Sequence, residues 1–458
     1  MRNLWSVESS WCAAPILVAS GRRFRCQMDE VYRECGVILK RMVEKRESVR
    51  NLVFKSRCRR KNILMRLCCQ VYPKRQLLNS QLKVLRNICY NNFFIEEPVI
   101  SIVLLYEYFF GCGNRCSYLY RTNILKNIRY VEKLRPSIEA GKKTVQHFTQ
   151  IPRYARVNTL IRDTADIVHY LESLGMTLIP PGNTERHLKA ISVLEKWQFT
   201  LDLDVADLLI FAPGMDLHDD NLLQTGQLIL QDKSSCLPVI CLELEPGTTV
   251  LDICAAPGNK TSHIASVMNN KGKIISVDYH KDRVMTLRMR LESFKVTCCE
   301  VIEQDFLKFK DYDPIFENVT HVLLDPPCSG SGIVNRIDFG NDETIDENRL
   351  KRLSNLQVMM LKKALSQTSV TRCVYSTCSI HEEENEAVVE EILKTFGDQF
   401  ELEEALPGWT HRGLDKYKFG SMCVRCSPEE DMTNGFFVAV FRKRDPMYEL
   451  RGGMEMNH

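Results

Sequence analysis

From Val31 to about Lys143 the apolar residues recur every three to four positions: Ile38, Leu39, Met42 and Val43, then Leu64, Leu67 and Val71, then Leu78, Leu82, Leu85 and Ile88. That period predicts an all-helical domain over residues 28–145. Between Ile151 and Leu230 the pattern becomes short runs, Ala155 to Leu160, Ile167 to Leu174 and Leu208 to Phe211, broken by Pro180, Pro181, Pro213 and Gly214. A small α+β domain is predicted over 146–235. After Pro246 and Gly247 strands and helices alternate, with strands at 249–254, 273–278, 297–302, 321–325, 372–376 and 436–442 and helices at 260–268, 282–294, 347–365 and 382–395. Such alternation predicts a doubly wound parallel sheet over 236–445, leaving 446–458 as a tail.

Charge changes this picture more than composition does. The 458 residues are 44% hydrophobic and 26% charged, as expected of a folded chain, and the net charge is only +3. Yet residues 1–150 hold 28 Lys and Arg against 11 Asp and Glu, and the remainder 33 against 47. A basic front on an acidic body points to a polyanion, nucleic acid first, although a solvated helical surface would also account for it. Lys55, Arg57, Arg59, Arg60 and Lys61 form a basic cluster that reads as a phosphate-facing patch, with an ordinary solvated helix end as the alternative reading. The longest apolar run, Pro98 to Phe110, is too short for a membrane span and contains Glu107. Nineteen scattered cysteines point to a reducing compartment, and the lone Cys423-x-x-Cys426 pair is not expected to hold a metal. Residues 1–27, with a single acid, read either as a transit peptide or as a non-native extension upstream of Met28.

Candidate chemistry lies at the strand ends of the last domain. Where its first strand turns into a helix stand Asp252-Ile253-Cys254-Ala255-Ala256-Pro257-Gly258-Asn259-Lys260, small residues that let a ligand approach the backbone. This loop is neither G-x-G-x-x-G nor a P-loop, which disfavours a pyrophosphate. Asp278 ends the next strand 20 residues after Gly258, placed to accept hydrogen bonds from both hydroxyls of a ribose, and Asp305 follows the third strand. Together they suggest an adenosine-containing ligand without a phosphate, S-adenosylmethionine; singly, each Asp could be a helix cap. Arg283, in the helix after Asp278, is counted with the cofactor residues. The fourth strand ends in Asp325-Pro326-Pro327-Cys328 and the fifth in Thr377-Cys378-Ser379, so two thiols should meet in one crevice. A thiolate there can add to C6 of a pyrimidine so that C5 becomes nucleophilic toward a methyl sulfonium, with Asp325 holding N3 and the second thiol assisting release.

The strings Asp252 to His263, Leu323 to Gly332 and Val374 to Ser379 resemble motifs of the NOL/NOP/Sun RNA cytosine-5 methyltransferases, and the resemblance covers roughly residues 150–445. It implies a Rossmann-like class I methyltransferase sheet, S-adenosylmethionine as cofactor, Cys378 as nucleophile and Cys328 as the residue that aids release. It also implies that 152–160 and 230–235 face RNA, so Arg153, Arg156 and Lys233 are expected to contact it. The wording of 227–232, 379–386 and 411–414 is closest to the branch acting on large-subunit ribosomal RNA. That branch implies a nucleolar protein with RNA, and pre-ribosomal proteins, as partners, and neither DNA nor a membrane; mitochondrial targeting by 1–27 is the alternative address. The runner-up functions are a silent ribosome-assembly scaffold, the same chemistry on tRNA, and a DNA cytosine-5 methyltransferase, which would need no Thr-Cys motif. Two features take structural readings: Ser379 to Glu382 as a capping box with Glu383, Glu384 and Glu386 complementing the helix dipole, and Met359 and Met360 as packing.

Overall fold

The computed structural model describes residues 21–45, 49–111, 117–144, 151–215, 217, 220–311, 313–334 and 347–445. Residues 1–20 and the tail 446–458 lie outside them. The chain divides into two compact units, one of helices through His147 and one carrying both sheets.

In the first unit the expected helices form: Gly21–Lys45, Val49–Lys55, Lys61–Val71, Arg75–Ile88 and Pro98–Phe109 pack around a core that includes Tyr32, Leu64, Leu82 and Phe94. The first helix begins at Gly21, so helical structure starts before Met28 and not after it. Pro98 sits in the first turn of its helix, where the missing N–H costs nothing. No helix among the described residues is long and apolar enough to cross a membrane.

The second unit opens with a five-stranded sheet in the order β2-β3-β4-β1-β5, made of β1 Arg153–Val157, β2 Thr177–Leu178, β3 Gln198–Leu201, β4 Leu208–Phe211 and β5 Leu228–Leu230. The larger sheet runs β11-β13-β10-β9-β6-β7-β8. Its parallel part is β6 Thr249–Ile253, β7 Lys273–Asp278, β8 Cys299–Glu303, β9 His321–Leu324 and β10 Arg372–Thr377. Val250, Leu251, Ile253, Val322, Leu323 and Leu324 are all buried, as continuous apolar strands covered on both faces must be.

The sheet is not wholly parallel. β13, Phe436–Lys443, runs antiparallel to β10 and to β11, Phe400–Glu403, while β12, Val424–Cys426, hangs off β13. Residues 404–435 connect β11 to β13 and hold only β12 and the one-turn helices Gly420–Met422 and Pro428–Asp431, so no long crossover helix is available to restore the parallel direction. Cys423 and Cys426 are buried here as core thiols. Strand order reverses between β6 and β9, with β7 on one side and β9 on the other. A crevice opens at the carboxyl ends of such strands.

Candidate active site

Both thiols arise where parallel strands stop. Cys328 follows β9 and Cys378 follows β10, and their sulfurs lie 3.2 Å apart. Serine hydroxyls join the two loops: Ser329 Oγ donates to Ser379 Oγ at 3.1 Å, and Ile380 N–H donates to Ser331 Oγ at 3.0 Å. The backbone of Cys378 is fixed by the N–H of Gly332, which donates to its carbonyl at 3.0 Å. Gly332 must be glycine, since an added Cβ would lie 2.1 Å from the carbonyl oxygen of Gly435.

Asp325 stands at the base of the Cys328 loop, where Lys260 Nζ meets its Oδ2 at 2.7 Å and Ser376 Oγ donates to its Oδ1 at 3.2 Å. Burial alone would lower the Lys260 ammonium, but Asp325 and then Cys378 outweigh it and raise it, so the side chain stays charged beside the thiols. Cys328 is pushed well above the ordinary thiol range by its hydrogen bond to Cys378, by burial, and by the charges of Cys378, Asp325 and Glu384. Within the pair, Cys328 therefore resists ionisation.

The cofactor loop lies on the other side of Lys260. Gly258 takes a φ of 103°, and a Cβ there would come within 2.8 Å of Leu287, so only glycine allows the loop to enter the helix Asn259–Val267. Cys254, Ala255, Ala256, Pro257, Asn259, Lys260 and Asp325 line one cleft, joined by Asp252 and Ser235. Asp278 ends β7 at 3% exposure, accepting from Ala256 N–H at 3.3 Å and His280 N–H at 3.1 Å, with Arg283 at 3.5 Å. Arg283 also donates to the carbonyl of Ala256 and so holds the loop to β7. A cradle of small side chains beside a carboxylate at the next strand end fits an adenosine with a free ribose, and offers no ring of amides for a pyrophosphate. Asp305 caps the short turn Phe306–Lys308 through Leu307 N–H, which realises its helix-cap reading.

Matches to known proteins decide the family. The description "16S rRNA methyltransferase RsmB/F" matches residues 239–442, and "NOL1/NOP2/Sun domain family member 5, ferredoxin-like domain" matches 151–231. Over 431 residues the chain is 37% identical to the 26S rRNA (cytosine-C(5))-methyltransferase nsun-5 of Caenorhabditis elegans, covering 91% of this chain and 98% of that one. The chain belongs to the NOL1/NOP2/Sun family. It is also 34% identical to a 28S rRNA (cytosine-C(5))-methyltransferase of Mus musculus over 91% of each chain. A methyltransferase homolog protein from Pyrococcus horikoshii superposes with a TM-score of 0.51 at 25% identity, covering 80% of this chain and 99% of that one.

As a NOL1/NOP2/Sun protein the chain has a methyltransferase fold and uses S-adenosylmethionine, but three residues expected on the RNA surface are elsewhere. Arg156 is 1% exposed, its guanidinium donating to Gln231 Oε1 at 3.0 Å, Ser262 Oγ at 2.8 Å and the carbonyl of Asn259 at 3.4 Å. It fastens the small sheet to the cofactor-loop helix and cannot guide a strand. Lys233 is 5% exposed, held by Asp202 at 2.9 Å and Asp204 at 2.6 Å. Lys61 donates to the carbonyls of Val53 (2.8 Å), Phe54 (3.2 Å) and Ser56, capping the helix that ends at Lys55. Arg57 and Arg59 are exposed as expected, Arg60 partly so, and Arg153, half-buried, donates to the carbonyl of Met215 at 3.3 Å. The capping box does not form either: Ser379 Oγ accepts from His381 N–H, while Glu382 pairs with Lys416 and Tyr417. Met360 is buried, but Met359 is exposed. Sequence reasoning gave Asp252, Ser376 and Gln357 no role of their own and read Glu384 only as complementing a helix dipole; the one available signal was a polar residue inside an otherwise apolar face, as at Gln357.

Proposed function

We propose that this protein methylates C5 of a cytosine in large-subunit ribosomal RNA, with Cys378 as the nucleophile. The observation that carries the reading is the 3.2 Å contact between Cys328 and Cys378 beside an Asp325 held by Lys260. S-adenosylmethionine, when bound, supplies an electrophilic methyl group. The Cys378 thiolate adds to C6 of the cytosine, forming an S–C6 bond and pushing the C5–C6 π pair toward the ring, where Asp325 holds N3. C5 then takes the methyl group. Cys328, having lost its proton to water once the neighbouring sulfur is no longer anionic, removes the C5 proton. That C–H pair restores the double bond, and the S–C6 pair returns to Cys378. One proton is released overall, and both cysteines end as they began.

The substrate rests on the relatives, which are named for 26S and 28S ribosomal RNA. With that substrate, the nucleolus is the compartment and pre-ribosomal proteins are the neighbours. The test is capture on a large-subunit RNA carrying 5-fluorocytosine, which cannot release the adduct. Cys378→Ala should abolish both capture and methylation, whereas Cys328→Ala should retain an adduct even on ordinary cytosine. Capture by Cys378→Ala, or wild-type methylation from it, overturns the assignment.

A further inference from the structure

Glu384 and Gln357 have no task in the chemistry above, yet both are fully buried. Glu384 Oε1 accepts from the backbone N–H of Ser329 at 2.9 Å and from Gln357 Nε2 at 3.1 Å. The same Nε2 donates to the carbonyl of Pro327 at 3.0 Å. Two side chains from different elements, the turn Glu382–Glu384 and the helix Glu347–Leu365, therefore grip the peptide groups on either side of Cys328, and each other. The Tyr375 hydroxyl, from β10, ties the turn in by donating to the carbonyl of Glu384 at 2.6 Å. A core position facing a sheet favours an apolar residue, and a carboxylate buried there is costly. The placement of Gln357 serves the Cys328 loop.

We propose that Glu384 and Gln357 are positioning residues, which clamp the backbone around Cys328 so that its thiol stays in contact with Cys378 and can resolve the RNA adduct. This rests on the roles given above to the two cysteines. The groups facing Cys328 are the Cys378 sulfur from the end of β10, the Tyr375 hydroxyl from β10 itself, Asp325 from its own loop and Glu384 from the turn, with Lys260 behind Asp325. The carboxylates of Asp325 and Glu384 both favour its protonated form and so make Cys328 a stronger base toward the C5 proton.

The test compares wild type, Cys328→Ala, Gln357→Leu and Glu384→Gln on a large-subunit RNA fragment. It reads first-turnover methylation, steady-state turnover, the KM for RNA and the lifetime of the covalent band on denaturing gels. Gln357→Leu and Glu384→Gln should lengthen that lifetime roughly tenfold or more, toward Cys328→Ala, with KM near wild type and the first turnover much less affected. Glu384→Gln should also move the pH at which the band resolves half-maximally downward, because Cys328 then loses its proton more easily; a purely structural role would leave that pH in place. Wild-type lifetimes and pH profiles in both variants overturn the positioning roles. So does a parallel fall of methylation, capture and melting temperature with the lifetime unchanged. If Cys328→Ala itself accumulates no band, the underlying cysteine assignment fails; if it does while the other two variants behave as wild type, the positioning idea alone fails.

Discussion

In the unit that carries Cys328 and Cys378, Arg156, Lys233, Arg372 and Arg425 are buried and each is held by carboxylates, side-chain oxygens or backbone carbonyls. In the helical unit, by contrast, no Lys or Arg among the described residues is buried. Arg33, Lys40, Lys55, Arg57, Arg59, Arg66, Arg121 and Lys133 all face solvent there. One residue type thus does two jobs. Inside the acidic unit a cation joins elements, where a charged hydrogen bond in a low dielectric is strong and an unpaired charge is costly. On the basic unit it contributes to a long-range potential that a polyanion can neutralise.

The largest effect that could break this contrast belongs to Arg156. Arg156→Leu removes the guanidinium donor to Gln231 Oε1 and Ser262 Oγ inside a tight interface, while the carbonyl of Asn259 keeps the Ser262 hydroxyl. It should lower unfolding stability by roughly 3–5 kcal/mol while leaving the salt dependence of RNA binding untouched. Burial lowers this guanidinium only to about 10, so in the wild type it is a cation at neutral pH. A flattened salt slope with little change in melting would return Arg156 to the RNA surface.

Next comes a buried acid of the same unit. Burial pushes the Asp252 carboxyl up to about 7 against an ordinary 3.8, and the hydrogen bond from Thr261 at 2.6 Å opposes that only in part. The folded value is raised, so from about pH 4 upward the unfolded chain sheds this proton while the folded chain keeps it. Stability is lost through that window, and the penalty is complete above pH 7. Asp252→Asn, which still accepts from Thr261, should gain on the order of 4 kcal/mol relative to wild type at pH 8 and almost nothing at pH 4. Chemical denaturation at the two pH values checks this; an equal gain at both would mean that ionisation is not the cause.

How far the sequence was legible follows the same division. The helix Glu347–Leu365 and the strand Lys273–Asp278 have the predicted bounds, because a long amphipathic period and a continuous buried run each dictate one local answer. The three-residue β12 and the acid-bearing edge strand β11 carry too little pattern to be seen. The direction of β13 is set by the connection through residues 404–435 and not by its own apolar residues. At the site, strand-end chemistry made Cys328, Cys378, Asp325 and Asp278 readable. Arg156 was not, because a strand's alternation does not reveal that the neighbouring surface is a helix of the same chain. Glu384 hid within an acidic run that looks solvated until the fold closes over it.

A smaller effect separates two neighbours in the basic cluster. Lys61→Met removes the donor to three carbonyls at the end of the helix Val49–Lys55 and should cost about 1 kcal/mol of helical-unit stability, with RNA affinity near wild type. Hydrogen exchange at 49–56 would show it as faster opening. An unchanged exchange rate paired with weaker RNA binding would make Lys61 a phosphate contact after all.

The smallest expected change in stability, and the sharpest test of the contrast, comes from the exposed members of that cluster. Replacing Lys55, Arg57 and Arg59 by Ala removes three solvent-facing charges that no described ion pair engages. Surface substitutions of this kind alter stability by only a few tenths of a kcal/mol. If the cluster meets the RNA backbone, each lost contact lowers the slope of log affinity against log salt by about 0.7–0.9. The triple variant should then flatten that slope by about two units and raise the KM for RNA, while first-turnover methylation at saturating RNA stays close to wild type, since the thiols and their clamp lie in the other unit. The native slope in this variant would show that the basic face meets water or a protein, and the difference between the two units would then concern folding alone.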